Sequence, residues 1–265
     1  MRLVPIASGS SGNCIYVGSD NTHLLVDAGI SAKRIIQGIN DLELSPDDID
    51  GLLITHEHVD HIGGLGVLCR KCNIPVYATE KTTEAIMKYD KLGPVEKDLF
   101  HVISSDTAFS IKDINIDPIK TSHDCADPVA YSFSNNKKRV AVATDLGTYT
   151  DYTVEKLQNL DALLLEANHD VRMLQVGPYP YWLKQRILSD EGHLSNENAG
   201  KLLSEILNDN ISKILLGHLS KENNMPQLAY EAVRVEIELS DNSYHANDFD
   251  ISVAKRDCMS EIVVV

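Results

Sequence analysis

Thr55-His56-Glu57-His58-Val59-Asp60-His61 packs three imidazoles and two carboxylates into seven residues. Imidazole nitrogen suits a borderline ion such as zinc, and carboxylate oxygen beside it suits a second, more oxophilic ion. The spacing therefore suggests a two-metal centre. Gly51-Leu52-Leu53-Ile54 immediately precedes the run and reads as a buried strand. The donors thus begin where a strand ends, which is where α/β proteins bind ligands.

The chain around this segment has 265 residues, 43% hydrophobic and 24% charged, enough to bury a substantial core. A single domain over residues 1–265 is the expectation. No stretch approaches the roughly 18 consecutive apolar residues of a membrane helix. Met1-Arg2-Leu3-Val4-Pro5 lacks the apolar segment of a signal peptide, so a cytoplasmic protein with no membrane partner is expected. Five scattered cysteines, Cys14, Cys69, Cys72, Cys125 and Cys258, form no disulfide framework, and Cys69-Arg70-Lys71-Cys72 reads as helix packing. The net charge of −15 argues against tight sequence-independent binding of a polyanion over the general surface. It leaves room for an enzyme that holds a phosphodiester at divalent ions, because such ions invert the local potential.

Outward from the heptapeptide, short strands are expected over residues 2–7, 14–17 and 23–26, then a helix over 32–39, a helix through Cys72, a strand at 75–78 and a helix over 82–88. A second strand-rich stretch follows at 108–111, 114–119, 130–133 and 139–143. Helices at 152–157, 196–207 and 227–239 then alternate with strands at 162–166 and 213–216, and the tail is strand-like at 250–254 and 262–265. Two strand clusters, each followed by helices, fit two stacked sheets flanked by helices, an αββα four-layer sandwich of the α/β type. Residues 167–192, with Gly177-Pro178-Tyr179-Pro180-Tyr181-Trp182, read as irregular. The aromatics there either stack on a base or serve as ordinary core and surface residues.

Four further polar residues follow apolar runs: Asp27, His123, Asp145 and His218. Strand ends align along one sheet edge, so residues far apart in sequence converge there. In their order, these motifs make the chain resemble the metallo-β-lactamase superfamily over nearly its whole length. The resemblance implies that His56, His58 and His123 hold one ion, that Asp60, His61 and His218 hold the other, and that Asp145 bridges them. Asp27 would orient the loop by hydrogen bonds without touching an ion.

Ser8-Gly9-Ser10-Ser11-Gly12-Asn13, Ser122-His123-Asp124, Gly192-His193-Leu194-Ser195-Asn196 and His218-Leu219-Ser220-Lys221-Glu222-Asn223-Asn224 resemble the bacterial YycJ/WalJ exonuclease branch. The chain is also similar to tRNase Z, in which a Glu after an apolar strand orients a His that assists the leaving group. Glu166 and His193 match those positions, although the long arm that grips tRNA is missing. His193 also precedes a helix start at Ser195-Asn196, so flanking that cap is its alternative role. The Ser8, Ser10 and Asn13 turn either cradles phosphate or is simply a turn between strands.

These implications add up to a metal-dependent phosphodiesterase or nuclease, a 5′-to-3′ DNA exonuclease by resemblance, with two divalent ions (Zn, Mn or Fe) holding a hydroxide between them. Asp60, His193 and Glu166 would be catalytic, and the partner would be DNA or RNA. The alternatives are a hydrolase of small esters, cyclic phosphates or thioesters on the same ions, and a noncatalytic metal-dependent binding module.

Overall fold

Strands apolar at every position, such as Leu24-Leu25-Val26 and Val140-Ala141-Val142-Ala143, need cover on both faces. The computed structural model, which describes residues 1–265, supplies that cover. The chain opens with β1 (Arg2–Ala7), β2 (Cys14–Gly18) and β3 (His23–Val26), which pair antiparallel. It continues through α1 (Ala32–Asp41), β4 (Gly51–Leu53), α2 (Val59–Ile62), α3 (Leu65–Lys71), β5 (Val76–Thr79), α4 (Glu80–Met87) and β6 (Phe100–Ile103). The second half comprises β7 (Phe109–Ile111), β8 (Ile114–Lys120), β9 (Val129–Asn135), β10 (Lys138–Ala143), α5 (Asp151–Lys156) and β11 (Ala162–Glu166). After these come α6 (Val171–Val176), α7 (Tyr181–Ile187), α8 (Asn196–Ile206), β12 (Lys213–Gly217), α9 (Pro226–Leu239), β13 (Ile251–Val253) and β14 (Val263–Val264).

Two seven-stranded mixed sheets result, ordered β14-β1-β2-β3-β4-β5-β6 and β13-β12-β11-β10-β9-β8-β7. Side-chain alternation along each strand sorts the core into three layers. Leu24 and Val26 of β3 meet Val140 and Val142 of β10 and Leu164 of β11 between the sheets. Leu25 instead faces Ile35, Ile39 and Leu65 of the first helical layer. Ala141, Leu163 and Leu165 face Leu202, Leu203 and Val233 of the other. A one-residue slip in any of these strands would exchange the two faces, so the doubly apolar pattern holds the register. Tyr131, buried between the sheets, satisfies its hydroxyl by donating to the carbonyl of Ile54 at 2.8 Å.

This is the expected αββα sandwich. Residues 167–192 differ from the irregular reading: they contain α6 and α7, each too short for helical periodicity to stand out and separated by Gly177-Pro178-Tyr179-Pro180. Strand β6 went unread because it alternates poorly, and the end of the heptapeptide is a helical turn, α2, not loop. All five cysteines are free, and Cys69 and Cys72 pack against the first helical core. No helix is long and apolar enough to cross a membrane.

Candidate metal centre

Both sheets end at one place. The first sends Asp27 from the end of β3 and His56, His58, Asp60 and His61 from the β4 exit; the second sends His123, Asp145, Glu166 and His218 from the ends of β8, β10, β11 and β12. Asp27, Asp145 and His218 take left-handed backbone conformations, with φ of 62°, 60° and 53°. Non-glycine residues seldom do so unless their surroundings hold them there.

The heptapeptide is anchored from behind. Buried Asp27 accepts hydrogen bonds from the Thr55 amide at 2.9 Å and from His61 Nδ1 at 2.7 Å, and the Thr55 hydroxyl also donates to it. Gly29 lies so close to the loop that a Cβ there would sit 1.7 Å from the Asp60 carbonyl oxygen. The same carbonyl accepts from the Asn13 amide at 2.8 Å.

Fixing one ring nitrogen of each imidazole aims the other. His61 donates from Nδ1 to Asp27, His123 from Nδ1 to the Gly192 carbonyl at 2.8 Å, and His218 from Nδ1 to Glu166 Oε1 at 2.9 Å. Their Nε2 atoms therefore point to the centre, where each offers a lone pair once deprotonated. His123 Nε2 comes within 3.2 Å of His58 Nδ1. Asp145 Oδ2 lies 3.2 Å from His61 Nε2, while its Oδ1 lies 3.6 Å from both His123 Nε2 and His218 Nδ1. Asp60 Oδ2 is 3.3 Å from His218 Nε2.

This donor set fits divalent cations. Ligand atoms of His56, His58 and His123 lie within 4.8 Å of one another, as do those of Asp60, His61 and His218, and Asp145 joins His56 and His61 in a third such group. His56 Nε2 and Asp145 Oδ2 are buried without any hydrogen-bond partner. Buried polar atoms are rarely left so, and a bound cation would satisfy both.

The electrostatics divide the centre in two. Burial, then the neighbouring imidazoles, hold His56 well below the usual histidine range, and burial also lowers His58 and His123. Burial opposes charge on His218 as well, but Asp145, Asp60 and Glu166 outweigh it and raise the group to about 10. His61 is likewise raised against burial, by Asp145, Asp27 and Asp60. Glu166 is depressed because His193 and His218 outweigh its burial.

Glu166 is more central than its sequence position suggests. Its Oε1 accepts from both His193 Nδ1 at 2.8 Å and His218 Nδ1 at 2.9 Å, while Oε2 accepts the amides of Leu146 and Leu194 at 2.8 and 3.2 Å. The sequence reading had Glu166 orienting His193 and missed its hold on His218; no local pattern links residues 52 apart. Ser195 does cap α8, so His193 precedes the cap and also faces the cleft.

The cleft over the donors has a volume of about 340 Å³ and is bounded by Ser10, Tyr179, Leu183, Arg186, His193 and Ser220. Of the three residues read as a phosphate cradle, Ser10 alone reaches it. Ser8 Oγ accepts the His218 amide at 2.9 Å, and buried Asn13 accepts the Gly9 amide at 3.0 Å, so both tie loops together. A larger hollow of 930 Å³ between α4 and β6 holds none of the donors, so chemistry and not volume selects the site.

Residues 22–218 match the family model of the beta-lactamase superfamily domain. The chain is 42% identical over 233 residues to the exodeoxyribonuclease YycJ of Bacillus anthracis, covering 88% of each protein. It is 44% identical over 225 residues to the exodeoxyribonuclease WalJ of Streptococcus pneumoniae, covering 85% of this chain and 84% of that one. Among solved structures, Zn(2+)-bound PqqB from Methylobacterium extorquens superposes with a TM-score of 0.72 at 19% identity over 98% of this chain and 100% of that chain. The short form of human tRNase Z superposes with a TM-score of 0.66 at 14% identity over the whole of both chains.

Proposed function

Because this chain belongs to the metallo-β-lactamase superfamily, we propose that it is a metal-dependent phosphodiesterase acting as an exonuclease on DNA. Identity of 42% and 44% to two exodeoxyribonucleases, over most of both lengths, supports the substrate class. The observation that carries the chemistry is Glu166 Oε1, shared by His193 and His218 at 2.8 and 2.9 Å, which joins a cleft-facing imidazole to the donor set.

In this reading His56, His58 and His123 would hold one divalent ion and Asp60, His61 and His218 a second, with Asp145 available to both. Zinc, manganese and iron all suit such nitrogen and oxygen donors. Bound there, two ions would supply water of lowered pKa, about 7, and positive charge against the phosphate.

The remaining work falls to the chain. Asp27 keeps the Nε2 atom of His61 turned inward, and Glu166 does the same for His218. His193, its Nδ1 fixed on Glu166, has Nε2 free to pass a proton to the departing oxygen. A nucleoside hydroxyl leaves poorly as an alkoxide, so a positioned acid matters most for that leaving group. The Glu166 carboxylate holds the ring in position for that transfer, much as a buried carboxylate orients the histidine of a hydrolytic triad. The digestion runs 5′ to 3′ in this proposal, in a cytoplasmic setting suited to five free thiols.

End-labelled single- and double-stranded DNA, incubated with protein reconstituted in zinc, manganese or iron, tests this by product length. Stepwise shortening from one end supports the reading. Cleavage of small esters, cyclic phosphates or thioesters with DNA left intact overturns it.

A further inference from the structure

The wall of the cleft formed by α6 and α7 differs chemically from the rest of the molecule. In a chain of net charge −15, residues 171–189 carry Arg172, Lys184 and Arg186 and no carboxylate. Tyr179, Leu183 and Arg186 face the cleft. Beside them stand the large side chains of Tyr181 and Trp182, 76% and 67% exposed. Isolated exposed apolar residues are ordinary; on α7, Trp182 stands about a quarter-turn from the cleft-lining Leu183, whereas Tyr181, two residues before Leu183, points to the opposite side of the helix.

Helical spacing links Trp182 to the chemistry. Residues four apart share a helix face, so Trp182 lies on the ridge of Arg186, about one turn or ~5.4 Å along α7. Arg186 donates to Asp124 through Nη2 at 2.8 Å and also through Nε, and Asp124 directly follows His123. The ridge therefore runs outward from the donors through Arg186 to Trp182.

Resting on the exonuclease reading, we propose that Trp182 forms a stacking platform for an unpaired base, so that the cleft receives a single polynucleotide strand and not an intact duplex. An indole face can engage a base only when that base is unstacked from its neighbours, and such stacking tolerates any sequence. It also suits an acidic protein. A surface of net charge −15 gains little from phosphate contacts along a duplex, whereas the α6–α7 wall, where Asp124 offsets Arg186 but Arg172 and Lys184 form no ion pair, admits one strand.

Trp182 is the sole tryptophan, which makes it its own reporter. A phosphorothioate single strand, resistant to cleavage, titrated into metal-loaded protein should quench its emission, and an abasic strand of equal length should not. Trp182→Ala should raise KM for single-stranded DNA about tenfold. Its kcat, and its rate on a bis-aryl phosphate without bases, should stay unchanged, with Trp182→Phe restoring most of the loss. Equal quenching by the abasic strand, an unchanged KM, or an equal loss on the bis-aryl phosphate would each overturn the platform. Failure of the wild-type protein to cleave DNA would overturn the exonuclease reading instead, and base-dependent quenching would still register the platform.

Discussion

Glu166 reaches across from the end of β11 to hold His218 at the end of the adjacent parallel strand β12, Oε1 to Nδ1 at 2.9 Å, while the same oxygen holds His193. One carboxylate oxygen thus serves both the donor set and the proposed proton donor. Glu166→Gln is expected to weaken metal affinity roughly 10–100-fold, as loss of partners behind a ligand generally does, and to lower kcat as well. Competition with a chromogenic chelator measures the first effect. Unchanged affinity would reduce the His218 contact to a bystander.

His193→Ala separates the two roles. Metal content should remain at the wild-type level, and kcat on DNA should fall about 10²–10⁴-fold, the span of a lost general acid. An aryl phosphate, whose phenolate leaves without help, should suffer much less. Equal losses on the two substrates would remove His193 from proton transfer.

Asp27 is buried and supports the loop through Thr55 and His61. Asp27→Ala would strand a buried imidazole and the Thr55 amide, and should destabilise the metal-free protein by about 3–5 kcal/mol. Urea unfolding with chelator present measures this, and a change below about 1 kcal/mol, the net worth of a single ordinary hydrogen bond, would contradict the anchoring role.

pH should act oppositely on metal binding and on the metal-free fold. His218, raised from 6.5 to about 10, and His61, also raised, keep protons near neutrality that an ion must displace. Affinity should therefore climb with pH, with a proton released from each residue, visible by calorimetry in buffers of different ionisation enthalpy. In chelator, the stability that these protonated groups contribute is complete below pH 6.5 and drains away as pH rises toward about 10. Melts at both ends of that window, with and without zinc, should show the decline in the metal-free sample. A flat profile in chelator would contradict the raised values.

The sequence displayed this centre unevenly, for physical reasons. The cluster of His56, His58, Asp60 and His61 was legible because donors on one turn are contiguous in sequence, and the convergence of Asp27, His123, Asp145 and His218 on it because each follows an apolar strand. The αββα layering was legible for the same reason, since strands buried on both faces carry no alternation. The double grip of Glu166 is a contact between separate strand ends and leaves no local trace. The turn of Ser8, Ser10 and Asn13 left both readings open, because a Ser/Gly turn looks the same whether it cradles an anion or ties loops together; Ser8 and Asn13 do the latter, and Asn13 Nδ2 also lies 3.2 Å from His61 Nε2. Helices α6 and α7 lay below the length at which a 3.6-residue period can be recognised.

The donors come from the rims of two separate sheets, and an apolar layer including Val26, Val142 and Leu164 sets the spacing between those sheets. Any slippage of one slab over the other would pull His56 and His58 away from His123 and Asp145 with no ligand altered. Trimming a methyl group deep in that layer, far from solvent and substrate, would then surface as poorer cation retention, and the ion would act as a gauge of how squarely the slabs are aligned.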